Sequence, residues 1–266
     1  VTLEIHQSTM SLMSKCPQAV EHYLNGLKRP PLVVLLMGTV THRVGEANLG
    51  HKMEHGELLG DADVMDLAAS IFRDEWDGGE PLLTEEERQL GKSRVKGATK
   101  DACVNLGLMH SKRIAPSIEP VALERAMTLL VDGERYRLVG TLDVEEEDRI
   151  RDLKTSVSRM TIDDARDSVQ LDMYAFMLER LTGKRVSRVC LDVLQKAVIP
   201  KPYTLDVAAP SDFEPLLMRI ERTAKVIESG AFMPVDPSGP SGWICSERFC
   251  GYFDDCVFGR RRRKAL

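Results

Sequence analysis

Apolar positions follow a helical period over the first hundred or so residues and then change to the two-residue alternation of strands. Ser8 to Lys15 predicts a short helix capped by Ser8, and Pro17 opens a second one that turns Val20, Tyr23 and Leu24 inward, leaving Cys16 at the junction. Residues 46–117 are helical in pattern and highly charged, with breaks at Gly60 and at Gly78-Gly79-Glu80-Pro81, and they read as a helical insertion. Beyond Pro116, Glu134 to Val144 and Arg149 to Thr155 predict two strands joined by the acidic turn Glu145-Glu146-Glu147-Asp148, a hairpin by spacing. Thr161 to Leu181 predicts one amphipathic helix, capped by Thr161, stopped by Gly183 and apolar along Val169, Met173 and Phe176. Val186 to Leu194 and Tyr203 to Val207 predict two further strands. Ser211-Asp212-Phe213-Glu214 reads as a capping box for a helix ending near Ser229, with Gly230 as its stop. Residues 243–266 are rich in Cys, Gly and charge and lack periodicity, so something other than an apolar core must hold them.

Composition changes this picture little. A chain of 266 residues with 43% hydrophobic and 29% charged content suits one globular domain spanning 1–266 and excludes collagenous and disordered classes. The apolar run Leu32 to Met37 is too short to cross a bilayer, and no secretory leader pattern opens the sequence, so a cytoplasmic setting with no membrane partner is expected. In that reducing setting the six cysteines point to metal binding or burial rather than disulfides. The net charge of −5 leaves room for nucleic acid only if positive charge is concentrated locally. Arg260, Arg261, Arg262, Arg263 and Lys264 form such a run, readable as a phosphate-binding tail or as a solvated terminus.

The hairpin carries the candidate chemistry. Ile150, Asp152 and Lys154 share one face of its second strand, because strand side chains alternate. Asp143 ends the first strand, where pairing across the turn brings its carboxylate toward that of Asp152. Two converging carboxylates suit a hard divalent cation such as Mg²⁺ or Mn²⁺, which polarises a phosphodiester and activates water. An Asp and a Lys two apart on a strand are also compatible with a solvated surface.

Gly140-Thr141-Leu142-Asp143 followed by Asp152-Leu153-Lys154-Thr155 resembles the G-x-(I/L)-D … D-x-K-T pattern of RecB-like PD-(D/E)XK nucleases. Gly38-Thr39-Val40-Thr41-His42 is similar to that family's G-T-x-x-H motif, and Gln170 to Tyr174 to its Q-x-x-x-Y motif. The resemblance implies an α/β fold, a central mixed β-sheet flanked by helices in a restriction-endonuclease-like core. It also implies His42, Asp143 and Asp152 as metal ligands with the backbone carbonyl of Leu153, Lys154 as the catalytic cation, and Gln170 and Tyr174 orienting DNA or the nucleophile. Read as residues alone, His42 is equally a surface or core-satisfied histidine, and Gln170 and Tyr174 the polar edge of a helix. Glu124 stands where related proteins place an acidic residue before the hairpin, with Glu119 close enough to compete for that place.

Cys245, Cys250 and Cys256 form a C-x4-C-x5-C run, with Cys16 a lone partner near the other end. Four thiolates suit an iron–sulfur cluster or a structural zinc ion, and spacing does not decide between them. One early and three late cysteines resemble the 4Fe-4S arrangement of AddB-type nucleases and CRISPR-adaptation exonucleases, which implies a clasp joining the two termini. Such a clasp would position Trp243, Phe249, Tyr252 and Phe253 beside a nuclease channel, where aromatic faces suit single-stranded nucleic acid; the same rings could equally pack around a cluster. Cys103 and Cys190 read as buried core thiols.

The resemblance therefore predicts Mg²⁺- or Mn²⁺-dependent hydrolysis of DNA from single-stranded or free ends, in recombination, repair or end processing. With no phosphate-binding loop of a helicase present, unwinding would fall to a helicase or recombination partner. Two other expectations stand beside it: a DNA-end-binding adaptor in a larger complex, and a zinc-stabilised interaction protein.

Overall fold

The structure, a computed structural model, describes residues 2–27, 29–133 and 135–263. A short strand β1 (Leu3–His6) leads into helices α1 (Gln7–Lys15) and α2 (Pro17–Leu24), with Pro17 at the first position of the second. Cys16 lies at the junction, ending one helix and starting the next.

Helices α3 (Val33–His55), α4 (Asp61–Gly78), α5 (Glu85–Leu90) and α6 (Lys92–Arg113) follow. The helical layer thus begins at Val33, ahead of the position 46 expected from the charge pattern, because the apolar run from Leu32 is the buried first half of α3. Leu36, Val40 and Val44 of α3 pack on Val64, Ala68 and Phe72 of α4. Each such buried side chain contributes about 1.5–3 kcal/mol, enough to hold the layer together as a core of its own. Gly107 of α6 lets that helix approach closely: a Cβ there would stand 3.0 Å from Val44.

The rest of the chain builds a mixed sheet from β2 (Ala122–Val131), β3 (Tyr136–Glu145) and β4 (Arg149–Ser156), then helices α7 (Ile162–Arg166) and α8 (Val169–Thr182), strands β5 (Arg188–Gln195) and β6 (Lys201–Ala208), and helix α9 (Glu214–Ser229). Helix α10 (Val257–Arg263) closes the described chain. β2 runs antiparallel along the whole of β3. The other edge of β3 is shared: β1 pairs in parallel with Tyr136 to Val139, and β4 pairs only at Val144 and Glu145. β4 then pairs in parallel with β5, and β5 antiparallel with β6. One face of the sheet packs on α8 and α9, and the other meets Leu49 of α3 and Leu106 of α6, giving helix, sheet and helix layers.

Four sequence expectations are corrected. Helix α1 starts at Gln7 with His6, not Ser8, at its cap, and Tyr23 and Leu24, expected to turn inward with Val20, are exposed, since α2 buries Ala19 and Val20 instead. Thr161 to Leu181 is two helices, not one: Thr161 caps α7, the chain breaks at Asp167, and Ser168 caps α8 through the Leu171 amide. Two competing caps seven residues apart end one helix and start another without any Gly or Pro. At Ser211 to Glu214 no capping box forms; Phe213 occupies the cap position of α9 and the Asp212 carboxylate accepts the Glu214 N–H at 2.8 Å.

Candidate active site

The site lies where β3 and β4 part. Past the two-residue pairing at their turn, residues 140–143 of β3 have no backbone partner on the β4 side. The Asp143 carboxylate fills that gap, accepting the Leu153 amide of β4 at 2.9 Å. A backbone donor left over from the split thereby fixes Asp143 toward β4. The split opens a cleft of about 440 Å³ lined by His42, Glu46, Glu124, Asp143, Leu153 and Lys154, among others.

His42, from the middle of α3, places Nδ1 3.1 Å from Asp143 Oδ2. Burial pulls the imidazole down, but the bond and charge of Asp143 and the charge of Asp152 outweigh it and hold its pKa above the ordinary value. For Asp143 burial acts upward, and His42, the Leu153 amide and Lys154 together hold it below the ordinary carboxylate range. Asp152 is 0% exposed and burial pushes it upward against the pull of Lys154. Lys154 Nζ pairs with Asp152 Oδ2 at 2.6 Å, and among the described residues Asp152 Oδ1 has no hydrogen-bond partner. The buried Oδ1 carries a desolvation cost that a bound cation would offset.

Lys154 is held from the other layer. Its Nζ donates to Gln170 Oε1 at 2.7 Å, and Gln170 Nε2 donates weakly to the Tyr174 hydroxyl at 3.4 Å. Both sit one turn apart on α8, and the Tyr174 ring lies against Gly140, where a Cβ would stand 2.7 Å from Cε1. Glycine at 140 is therefore required by close approach of the ring, not by backbone angle.

Glu124 does reach the cleft, at φ 44°, a left-handed conformation rare for glutamate. Burial, then the charges of Asp143 and Glu46, push it up to about 7. Glu119 lies away from the cleft, paired with Lys52 at 2.7 Å. Glu46 and Arg43 were not anticipated from the sequence; Glu46 stands one turn beyond His42 on the same side of α3, and that spacing of four was the signal available. Beneath the cleft Arg151 forms a buried network unread in the sequence: it pairs with Glu146 and, at 3.1 and 3.2 Å, with both Asp192 oxygens, while Thr204 donates to Asp192 at 2.5 Å. His110, fully buried against Gly45 behind His42, is pushed down to about 4 by burial and so is neutral.

Outside the cleft, Cys16, Cys245, Cys250 and Cys256 line one small cavity. Cys16 Sγ accepts the Val235 amide at 3.4 Å, and burial, reinforced by the other three sulfurs, pushes the Cys250 thiol up to about 11. Among the described residues no group of three or more His, Cys, Asp or Glu side chains is gathered tightly enough to hold a metal ion as it stands. In the cleft His42 is paired with Asp143 and Lys154 with Asp152. Cys103 and Cys190 are buried in α6 and β5, apart from that cavity.

Of the basic run, Arg260 donates to the Asp255 carbonyl at 2.8 Å and Arg262 to that of Gly242. Lys264 and the side chain of Arg263 lie outside the described residues. Among the described residues no helix is long and apolar enough to cross a membrane.

Residues 5–257 match the sequence model of the PD-(D/E)XK nuclease superfamily. No curated protein matches significantly. Among solved structures, the fold is similar to that of a Eubacterium rectale protein provisionally named an exonuclease, at a TM-score of 0.54 and 13% identity, covering 87% of this chain and 83% of that one.

Proposed function

Because the chain belongs to the PD-(D/E)XK nuclease superfamily, whose members are metal-dependent nucleases, we propose that it is a Mg²⁺- or Mn²⁺-dependent exonuclease that hydrolyses DNA inward from an end. The observation that carries this reading is the buried Asp152 carboxylate, ion-paired with Lys154 through Oδ2, on the strand that lends Leu153 and Lys154 to a cleft also lined by Asp143 and His42. Carboxylate oxygens and an imidazole nitrogen are a donor set that fits a hard divalent cation. Asp143, Asp152 and His42 would hold it, with the Leu153 carbonyl as a further donor. When bound, such a cation polarises the phosphodiester and makes water a better nucleophile.

The chain's own groups do the rest. Each turnover consumes one water and converts a phosphodiester into a phosphate monoester and an alcohol. Negative charge grows on the phosphoryl oxygens as water adds, and Lys154 Nζ is fixed by Gln170 to meet that charge, so little reorganisation is needed at the moment of reaction. Tyr174 keeps Gln170 in place, and the Asp143 bond to the Leu153 amide keeps the two carboxylates facing across the split. Glu46 and Glu124 also line the cleft, with Glu124 pushed up to about 7, so it carries its full negative charge only above neutral pH.

We further propose that Cys16, Cys245, Cys250 and Cys256 hold a 4Fe-4S cluster, tying α2 to a C-terminal segment poor in core residues. Support comes from the shared cavity and from a donor set of four sulfurs. A DNA substrate with free ends, supplied by a helicase or recombination partner in the cytoplasm, completes the proposal.

The test is digestion of end-labelled DNA by anaerobically purified protein assayed for iron and zinc. Products shortening progressively from one end with Mn²⁺, and none with chelator, are expected. Binding without cleavage at any divalent cation would replace the exonuclease with a DNA-end-binding adaptor, and zinc without iron would replace the cluster with a structural zinc ion.

A further inference from the structure

The four cysteines share their cavity with a histidine. Cys16, Ala19 and His22 follow at intervals of three, which brings one side of α2 to the cavity, and all three line it together with Cys245, Cys250 and Cys256. His22 Nε2 is buried and has no hydrogen-bond partner among the described residues. The C-terminal segment holds this imidazole from its other side: Tyr252, between Cys250 and Cys256, packs its ring against that of His22 with centroids 5.4 Å apart and a tilt of 38°. Gln18, the neighbouring amide on the cavity wall, is already spent on the Glu21 carboxylate.

Positive ends of dipoles and a cation are gathered around the sulfurs. Cys16 Sγ accepts the Val235 amide at 3.4 Å. Burial pushes the Cys245 and Cys250 thiols up, and the Arg262 guanidinium opposes it at the first and the Tyr252 amide at the second. Thiols that bind a metal give up their protons and become acceptors only. A buried Nε2 beside them is then satisfied as an N–H donor, the tautomer that leaves the lone pair on Nδ1.

We infer that His22 is a positioning residue of the metal centre held by Cys16, Cys245, Cys250 and Cys256, its Nε2–H donating to one of the sulfurs of that centre. The inference rests on the proposed cluster and deepens it. Such a donor stabilises the more negative, reduced form of a cluster, so it raises the reduction potential. Partners of this kind, one step removed from the metal, also strengthen its retention.

The test compares the full chain, purified anaerobically, as wild type, His22→Phe and His22→Gln. Phenylalanine keeps a ring against Tyr252 without a donor, and glutamine supplies an amide N–H in place of Nε2. Iron and zinc per chain are measured first. With iron bound, reductive titration followed by visible absorption should give His22→Phe a lower potential, its one-electron equilibrium shifted about tenfold, or about 59 mV. Competition with an iron chelator should show the centre held about 10- to 100-fold less tightly in that variant. His22→Gln should recover most of both. Potential and retention in His22→Phe equal to wild type would overturn the inference, as would losses in His22→Gln as large as in His22→Phe, which would assign the effect to the shape of the ring. Zinc in place of iron sinks the cluster reading alone, and the chelator competition then tests His22 against zinc-bound thiolates. A chain that takes up neither metal overturns both.

Discussion

The carboxylate cleft and the cysteine-lined segment are built on opposite principles. The cleft rests on the sheet: Asp143 is held by a backbone amide, Lys154 by α8, and Asp152 lies under a core that includes Ile150, Leu142 and Leu171. Its charges are paired with one another before any cation arrives. The segment from Gly230 to Cys256 has no strand and only a short 3-10 turn, and its thiols face a shared cavity. One region is preorganised by packing, whereas under the proposed cluster the other would be organised by its ligand. Loss of metal should therefore cost activity in the first and structure in the second.

The largest break to that contrast comes at Lys154. Lys154→Ala removes the cation fixed by Gln170 and should lower DNA cleavage about 100- to 1,000-fold, with the melting transition little changed. A collapse of the fold in that variant would mean the cleft is not held by the sheet. Cys250→Ala should do the reverse: proteolysis within residues 230–263 becomes roughly 10-fold faster or more, since thiolate binding energy is folding energy. Limited proteolysis followed by mass spectrometry reads this, and an unchanged cleavage pattern would contradict it. Gly140→Ala sharpens the comparison inside the cleft region, because the added methyl must displace the Tyr174 ring. A cost of about 1–3 kcal/mol in urea unfolding is expected, together with weaker cleavage as Gln170 and Lys154 lose their support.

The smallest effect concerns Lys196, whose Nζ donates to the Val34 carbonyl near the start of α3 at 3.1 Å. Burial pushes this ammonium from its ordinary 10.5 down to about 8. Between those values the unfolded chain binds more protons than the folded one, so stability rises with pH from about 8 to 10.5. Below that window the burial penalty is fully present. Lys196→Met should flatten this slope in urea midpoints measured across the window; a slope unchanged by the substitution would assign it to another group.

How much of this was legible in the sequence follows from where the interactions are local. The β3–β4 hairpin was readable because alternation and an acidic turn lie within one short stretch, and the pairing itself spans the two residues nearest the turn. The split beyond it was not, since it depends on β1 taking the first half of the same edge from 133 residues away in sequence. β1 is too short to show a period, and β2 was passed over because Glu124, in a left-handed conformation, interrupts its apolar pattern. Glu46 shares a helix side with His42, but the rise in charge that begins at that residue masks the continuity of α3 across it. The Arg151–Asp192 network was hidden because charged residues on a strand read as solvated until partner strands are known. The meeting of Cys16 with Cys245, Cys250 and Cys256 in one cavity likewise depends on tertiary structure.

The central claim is that the side chains of Asp152, Asp143 and His42 bind one divalent cation in the cleft. Electron paramagnetic resonance of Mn²⁺ titrated into wild-type protein, Asp152→Asn and Lys154→Ala tests this without recourse to catalysis. Saturable loss of the free Mn²⁺ signal in wild type and Lys154→Ala, abolished in Asp152→Asn, is the predicted result. Uptake in Asp152→Asn equal to that of wild type would contradict it.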